Sequence, residues 1–149
     1  MAADGIAVSS QKISDEYGNL NSFYTLDADD RFGHSVSWLE DLDGDSVVDL
    51  AVGAHWDGDG GSKVGAVYVL FMQTTGLVKS AQKISNSYGS LTSAIGTLSS
   101  SVYFAGSLAS SGDLNSDSVT DLVVGCYGDN SGGSLAGAIY VLFLTTGGT

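Results

Sequence analysis

An all-β fold made of two copies of one four-stranded antiparallel unit is predicted by three observations on the 149-residue chain. The first is an internal repeat. Ser10-Gln11-Lys12-Ile13-Ser14 returns 71 residues later as Ala81-Gln82-Lys83-Ile84-Ser85, and Val67-Tyr68-Val69-Leu70-Phe71 returns 72 residues later as Ile139-Tyr140-Val141-Leu142-Phe143. The second is a series of short runs, alternating or continuously apolar and rich in β-branched residues, bounded by Gly, Asp, Asn and Ser. The third is an acidic loop, Asp41 to Asp49, that recurs as Asp113 to Asp121 between corresponding runs.

Taken in chain order, Ile6 to Ile13 reads as a strand with no earlier partner. Phe32 to Leu39, Val47 to Val52, Ala66 to Met72 and Leu77 to Ile84 are the four strands A to D of the first copy. Tyr103 to Ala109, Val119 to Val124 and Ala138 to Leu144 are strands A to C of the second. The two repeats span about 6–76 and 77–149 of a single segment. Four short strands in some seventy residues with Gly-rich turns suit a β-propeller blade, and the absence of proline with 21 glycines suits tight turns. A ring needs about four to eight blades. Two are therefore expected to be completed by additional repeats or by a homo-oligomer, three chains giving six blades and four giving eight, with residues 6–13 supplying the last blade's fourth strand.

Seventeen acidic against five basic residues give a net charge of −12, which repels nucleic acid and anionic membranes, so neither is an expected partner. No apolar stretch is long enough for a membrane span, and Met1-Ala2-Ala3-Asp4 is too polar and short for a signal peptide. The lone Cys126 sits in an apolar run and reads as a small buried hydrophobe.

The acidic loops point to a hard cation. A pair of carboxylates ~5 Å apart at an effective dielectric of 20 repels by some 3 kcal/mol, and the first loop crowds four into nine residues. Ca²⁺ accepts six to eight such oxygens, whereas Mg²⁺ retains more water and demands stricter geometry. An EF-hand is excluded, because its bidentate Glu at position twelve would fall on Val52 or Val124 and its glycine at position six on Ser46 or Ser118.

In this order, Phe32-Gly33-His34-Ser35-Val36, the acidic loop, Asp49-Leu50-Ala51-Val52-Gly53-Ala54 and Gly65-Ala66-Val67-Tyr68-Val69 resemble the FG-GAP repeats of integrin α-subunit propellers and their bacterial relatives. The second copy departs at Phe104-Ala105-Gly106 and at Gly125-Cys126-Tyr127, and His55 and Tyr127 stand where the family has proline. The resemblance implies one Ca²⁺ per repeat in the A-to-B loop. Its ligands would be Asp41, Asp43, Asp45, the Val47 carbonyl and Asp49, then Asp113, Asn115, Asp117, the Val119 carbonyl and Asp121. Asn115 removes one charge, so the second site is expected to bind more weakly.

The resemblance further implies that the D-to-A and B-to-C loops share the face opposite calcium, where the family often meets partners. Candidate ligand-binding residues there are His55, Trp56 and Tyr127, whose rings could stack on a sugar or grip a protein. No enzyme is expected: His34 and His55 are the two imidazoles, without a nucleophile or metal-His cluster at recognisable spacing. The expected role is a calcium-binding scaffold for extracellular or cell-surface adhesion or protein binding. A lectin-like propeller and a non-catalytic accessory domain of a secreted hydrolase are the alternatives.

Overall fold

The computed structural model describes residues 5–149. Strands β1 (Ser35–Trp38), β2 (Leu50–Ala54), β3 (Ala66–Met72) and β4 (Val78–Ile84) form one antiparallel sheet in chain order. Strands β5 (Ser107–Gly112), β6 (Asp121–Cys126) and β7 (Ala138–Leu142) form a second. The registers superimpose through the repeat: Val52 faces Tyr68 as Val124 faces Tyr140, and Gly53 faces Val67 as Gly125 faces Ile139.

The alternation of side chains along each strand decides what is buried. On one face of the first sheet Ala51, Val67, Val69 and Phe71 pack with Leu122, Val124, Cys126 and Leu142 of the second, making the principal core. On the other face Val52, Ala54, Tyr68, Leu70 and Met72 form a second core, covered by Leu20, Tyr24, Leu26 and Phe32. Strand β3 is consequently buried over its whole length. Each fully buried Val or Leu contributes roughly 1.5–3 kcal/mol relative to exposure. The sheets are also joined through the backbone, Phe104 N–H donating to the Val64 carbonyl (2.7 Å) and Ser101 N–H to the Ser62 carbonyl (2.8 Å).

Strand bounds shift by one to four residues from the sequence expectation: β1 and β5 start at Ser35 and Ser107 where Phe32 and Tyr103 are expected, β5 runs to Gly112 past Ala109, and β7 stops at Leu142 short of Leu144. Two further starts move for one reason. Strand β2 starts at Leu50 and β6 at Asp121, whereas Val47 and Val119 were the expected starts. The Asp49 and Asp121 carboxylates fold the preceding residues into loops by accepting backbone N–H groups of Leu42 and Leu114, at 2.9 Å each. The loops expected between strands D and A contain short helical pieces, a 3₁₀ turn at Leu20–Ser22 and helix α1 (Leu91–Ile95). Leu20 and Leu91, buried and 71 residues apart, anchor them.

The N-terminal strand expected at Ile6 to Ile13 is not formed. Among the described residues no strand pairs with these, and Ile6 and Val8 are exposed. The following turn, however, is the same in both copies: Ser14 and Tyr17 exchange backbone hydrogen bonds (3.0 and 3.2 Å), as do Ser85 and Tyr88 (3.1 and 3.3 Å).

Candidate metal centre

The loop from Asp41 to Asp49 joins β1 to β2 and is folded by its own carboxylates. Both oxygens of Asp41 accept backbone N–H groups, from Asp45 (2.8 Å) and Ser46 (2.7 Å), while Asp45 Oδ1 accepts from Val47 (2.9 Å). The second loop repeats this: Asp113 accepts from Asp117 (3.0 Å) and Ser118 (2.8 Å), and Asp117 Oδ1 from Val119 (2.8 Å). Such turns need left-handed residues, and Gly44, Ser46, Ser116 and Ser118 supply them with φ of 81°, 68°, 64° and 69°. A serine there costs about 1–2 kcal/mol more than glycine. The second loop, with Ser116 in place of Gly44, carries more of that strain.

Asp49 closes the loop from beneath. It is fully buried, with Oδ2 accepting from Leu42 N–H and Oδ1 from Met72 N–H, both at 2.9 Å. Burial raises its carboxyl above the usual range, against the lowering effect of those hydrogen bonds. One oxygen from each of Asp41, Asp43 and Asp49 lies within 4.8 Å of the others. The Asp41 and Asp49 oxygens each keep a further lone pair beyond their backbone bonds. This donor set, hard carboxylate oxygens converging from one loop with Asp49 buried and Asp41 and Asp43 at the surface, fits Ca²⁺.

Asp45, expected beside these three, pairs instead with the Lys79 ammonium from β4, which also reaches Asp43. The hydrogen bond to Lys79 lowers the Asp45 carboxyl, and hydrogen bonds to Asp43 and Asp45 raise Lys79. A lysine thus supplies positive charge at the rim. Sequence reading missed it because Lys79 lies 34 residues beyond Asp45 and Val8 occupies the matching place in the other copy. Among the described residues no lysine pairs with the second loop, and Asn115 Nδ2 donates to Asp117 Oδ2 (2.8 Å). Among the described residues, no trio of carboxylates converges there as in the first loop.

The three candidate ligand residues outside the acidic loops are brought together, but not as one exposed surface. His55 is 4% exposed, its ring 3.7 Å from that of His34 and near Tyr103 and Tyr127. Its burial, then the charges of His34 and Arg31, lower its pKa to about 4. Tyr127 stacks on Tyr103 (4.6 Å, 9°) and remains half exposed. The Trp56 ring is engaged by two cations, Arg31 at 3.7 Å and Lys63 at 3.9 Å from its centre. Of the three, His55 is placed as a core residue.

The acidic loop with its flanking strands falls within residues 32–70, which match the FG-GAP repeat family. The chain carries an FG-GAP repeat. It is also similar to integrin alpha-PS5 of Drosophila melanogaster, 37% identical over 107 residues, which cover 71% of this chain and 10% of that protein. The chain thus spans about a tenth of the length of this relative.

Proposed function

We propose that this FG-GAP chain is a calcium-binding scaffold, non-catalytic, serving adhesion or protein-ligand binding outside the cell or at its surface. The observation carrying this reading is the convergence of Asp41, Asp43 and Asp49 beneath a loop folded around its own carboxylates. Asp41, Asp43 and Asp49, with the Val47 carbonyl and Asp45, would hold Ca²⁺ in the first loop, and Asp113, Asn115, Asp117, the Val119 carbonyl and Asp121 a weaker ion in the second. The ion would supply structural charge neutralisation; the protein's own part is to lock β1 to β2 through Asp49. The match to an integrin alpha subunit supports the adhesion reading and the extracellular setting, where calcium is abundant. Stacking of a sugar on Trp56 would have to displace Arg31 or Lys63, so the protein-binding reading is favoured over the lectin-like one.

Calorimetric titration with CaCl₂ and melting curves with and without EDTA test the calcium reading. The melting temperature should rise with calcium by mass action, and Asp43→Ala should remove most of that rise. A melting temperature indifferent to both calcium and EDTA would overturn it.

A further inference from the structure

We propose that a second copy of this chain docks head to tail, its residues 7–13 pairing as a fourth strand along β7 and its Lys12 entering a cavity beside Asp129. The inference is independent of calcium binding.

The first sheet shows what the second lacks. There Lys83 of β4 is nearly buried, its Nζ 2.7 Å from Asp57 and 2.6 Å from Asp59, with the Tyr68 hydroxyl donating to Asp57 (2.9 Å). Burial alone would lower its pKa, yet hydrogen bonds to the two carboxylates raise it. The corresponding residues of the second sheet are Asp129, Ser131 and Tyr140. They line an open cavity of about 420 Å³ with no lysine of this chain paired to Asp129 among the described residues. The residue matching Lys83 through the repeat is Lys12, in the unpaired N-terminal segment.

The exposed surfaces match in the same way. Val67, Val69 and Phe71 are buried between the sheets, but their counterparts Ile139, Val141 and Phe143 are 70%, 39% and 58% exposed. The seat of the first trio includes Phe104, Leu108, Leu122, Val124 and Leu142. The counterparts of these five are Phe32, Val36, Leu50, Val52 and Leu70, which line an open hollow of about 280 Å³ on the far face of the first sheet, together with Ile13 and Gln11. One copy therefore presents the apolar trio and the other its seat. Residues around Ile13 already stand where this requires, since Gly18 packs against Lys12 and Ile13 as Gly89 packs against Lys83 and Ile84. A sheet edge left unpaired beside an exposed apolar face favours strand addition.

The β3–β4 pairing fixes the register. Val67 faces Ile84, Tyr68 faces Lys83, Val69 faces Gln82 and Met72 faces Val78. Carried through the repeat, Ile139 should face the second copy's Ile13, Tyr140 its Lys12, Val141 its Gln11 and Leu144 its Ala7.

Light scattering of the full chain should give a multiple of its 15.2 kDa mass; a single-chain mass at tens of micromolar would overturn the proposal. In a Cys126→Ala background, Gln11→Cys with Val141→Cys should cross-link between chains. Gln11→Cys with Ile139→Cys, two residues out of register, should do so far less, and equal cross-linking of both pairs would overturn the register. Lys12→Glu and Asp129→Lys should each weaken association about tenfold or more, and the double variant should recover much of the loss. Losses that simply add would overturn the lysine assignment.

Discussion

Asp49 Oδ1 accepts the backbone N–H of Met72 at 2.9 Å, tying the end of the acidic loop to the far end of β3. With Leu42 N–H on its other oxygen, one buried side chain satisfies donors from the loop and from the last residue of β3. Asp121 does the same for Leu114 (2.9 Å) and Leu144 (3.3 Å).

Replacing Asp49 by Ala strips both donors of their partner inside the core. Each unsatisfied buried group costs about 1–3 kcal/mol, so Asp49→Ala should lose roughly 2–5 kcal/mol in urea unfolding with EDTA present. Asp49→Asn keeps one acceptor oxygen and should lose less. Equal stability of wild type and Asp49→Ala without calcium would show that the aspartate acts through metal alone.

Lys79 occupies the Asp43 and Asp45 oxygens that a divalent cation would take under the proposed function. Lys79→Met should therefore raise calcium affinity several-fold, with a larger gain at low salt, where exposed charges are least screened. Stability in EDTA should change little, because the ion pairs are partly exposed and solvent screens them. Weaker calcium binding in Lys79→Met would place the lysine in support of the site.

His55 makes stability depend on pH. Its folded pKa is lowered from 6.5 to about 4, chiefly by burial, and its Nδ1 has no hydrogen-bond partner among the described residues. Between those values the unfolded chain binds the proton and the folded one does not, so stability rises with pH and is lost as pH falls from 6.5 towards 4. The slope is up to about 1.4 kcal/mol per pH unit. Urea midpoints measured from pH 7 to 4.5 should fall for wild type and fall less for His55→Gln. Parallel profiles would remove His55 as the cause.

The seven strands of the two sheets and the acidic loops were legible because each signal is local: alternation marks a strand and crowded carboxylates mark a loop. Ala66 to Met72 was read to the residue because it is buried on both faces and apolar throughout. Val47 to Asp49 looked like strand because their side chains suit one, yet the Asp49 carboxylate takes Leu42 N–H and holds the segment as loop. Residues 6–13 carry the same Gln-Lys-Ile signature as β4, but pairing requires a neighbouring edge, which no sequence pattern supplies. Lys79 at the acidic loop and Arg31 on Trp56 were hidden for a related reason, since both contacts arise from how the loops and strands come together.

Gly65, immediately before β3, lies against the backbone of Phe104, which leads into β5. Its φ is +96°, and a Cβ there would collide with the Phe104 carbonyl oxygen, whose residue also donates its N–H to the Val64 carbonyl (2.7 Å). Backbone cannot move aside as a flexible side chain can, so Gly65→Ala should cost more than about 3 kcal/mol by combining strain with overpacking. Gly44 provides the control, since its φ is +81° but a Cβ would meet open space. Gly44→Ala should cost only about 1–2 kcal/mol, the backbone part alone. Urea unfolding distinguishes the two, and hydrogen exchange at Phe104 N–H should accelerate in Gly65→Ala and not in Gly44→Ala. If both substitutions cost the same and leave that amide protected, the sheets are not locked at Gly65.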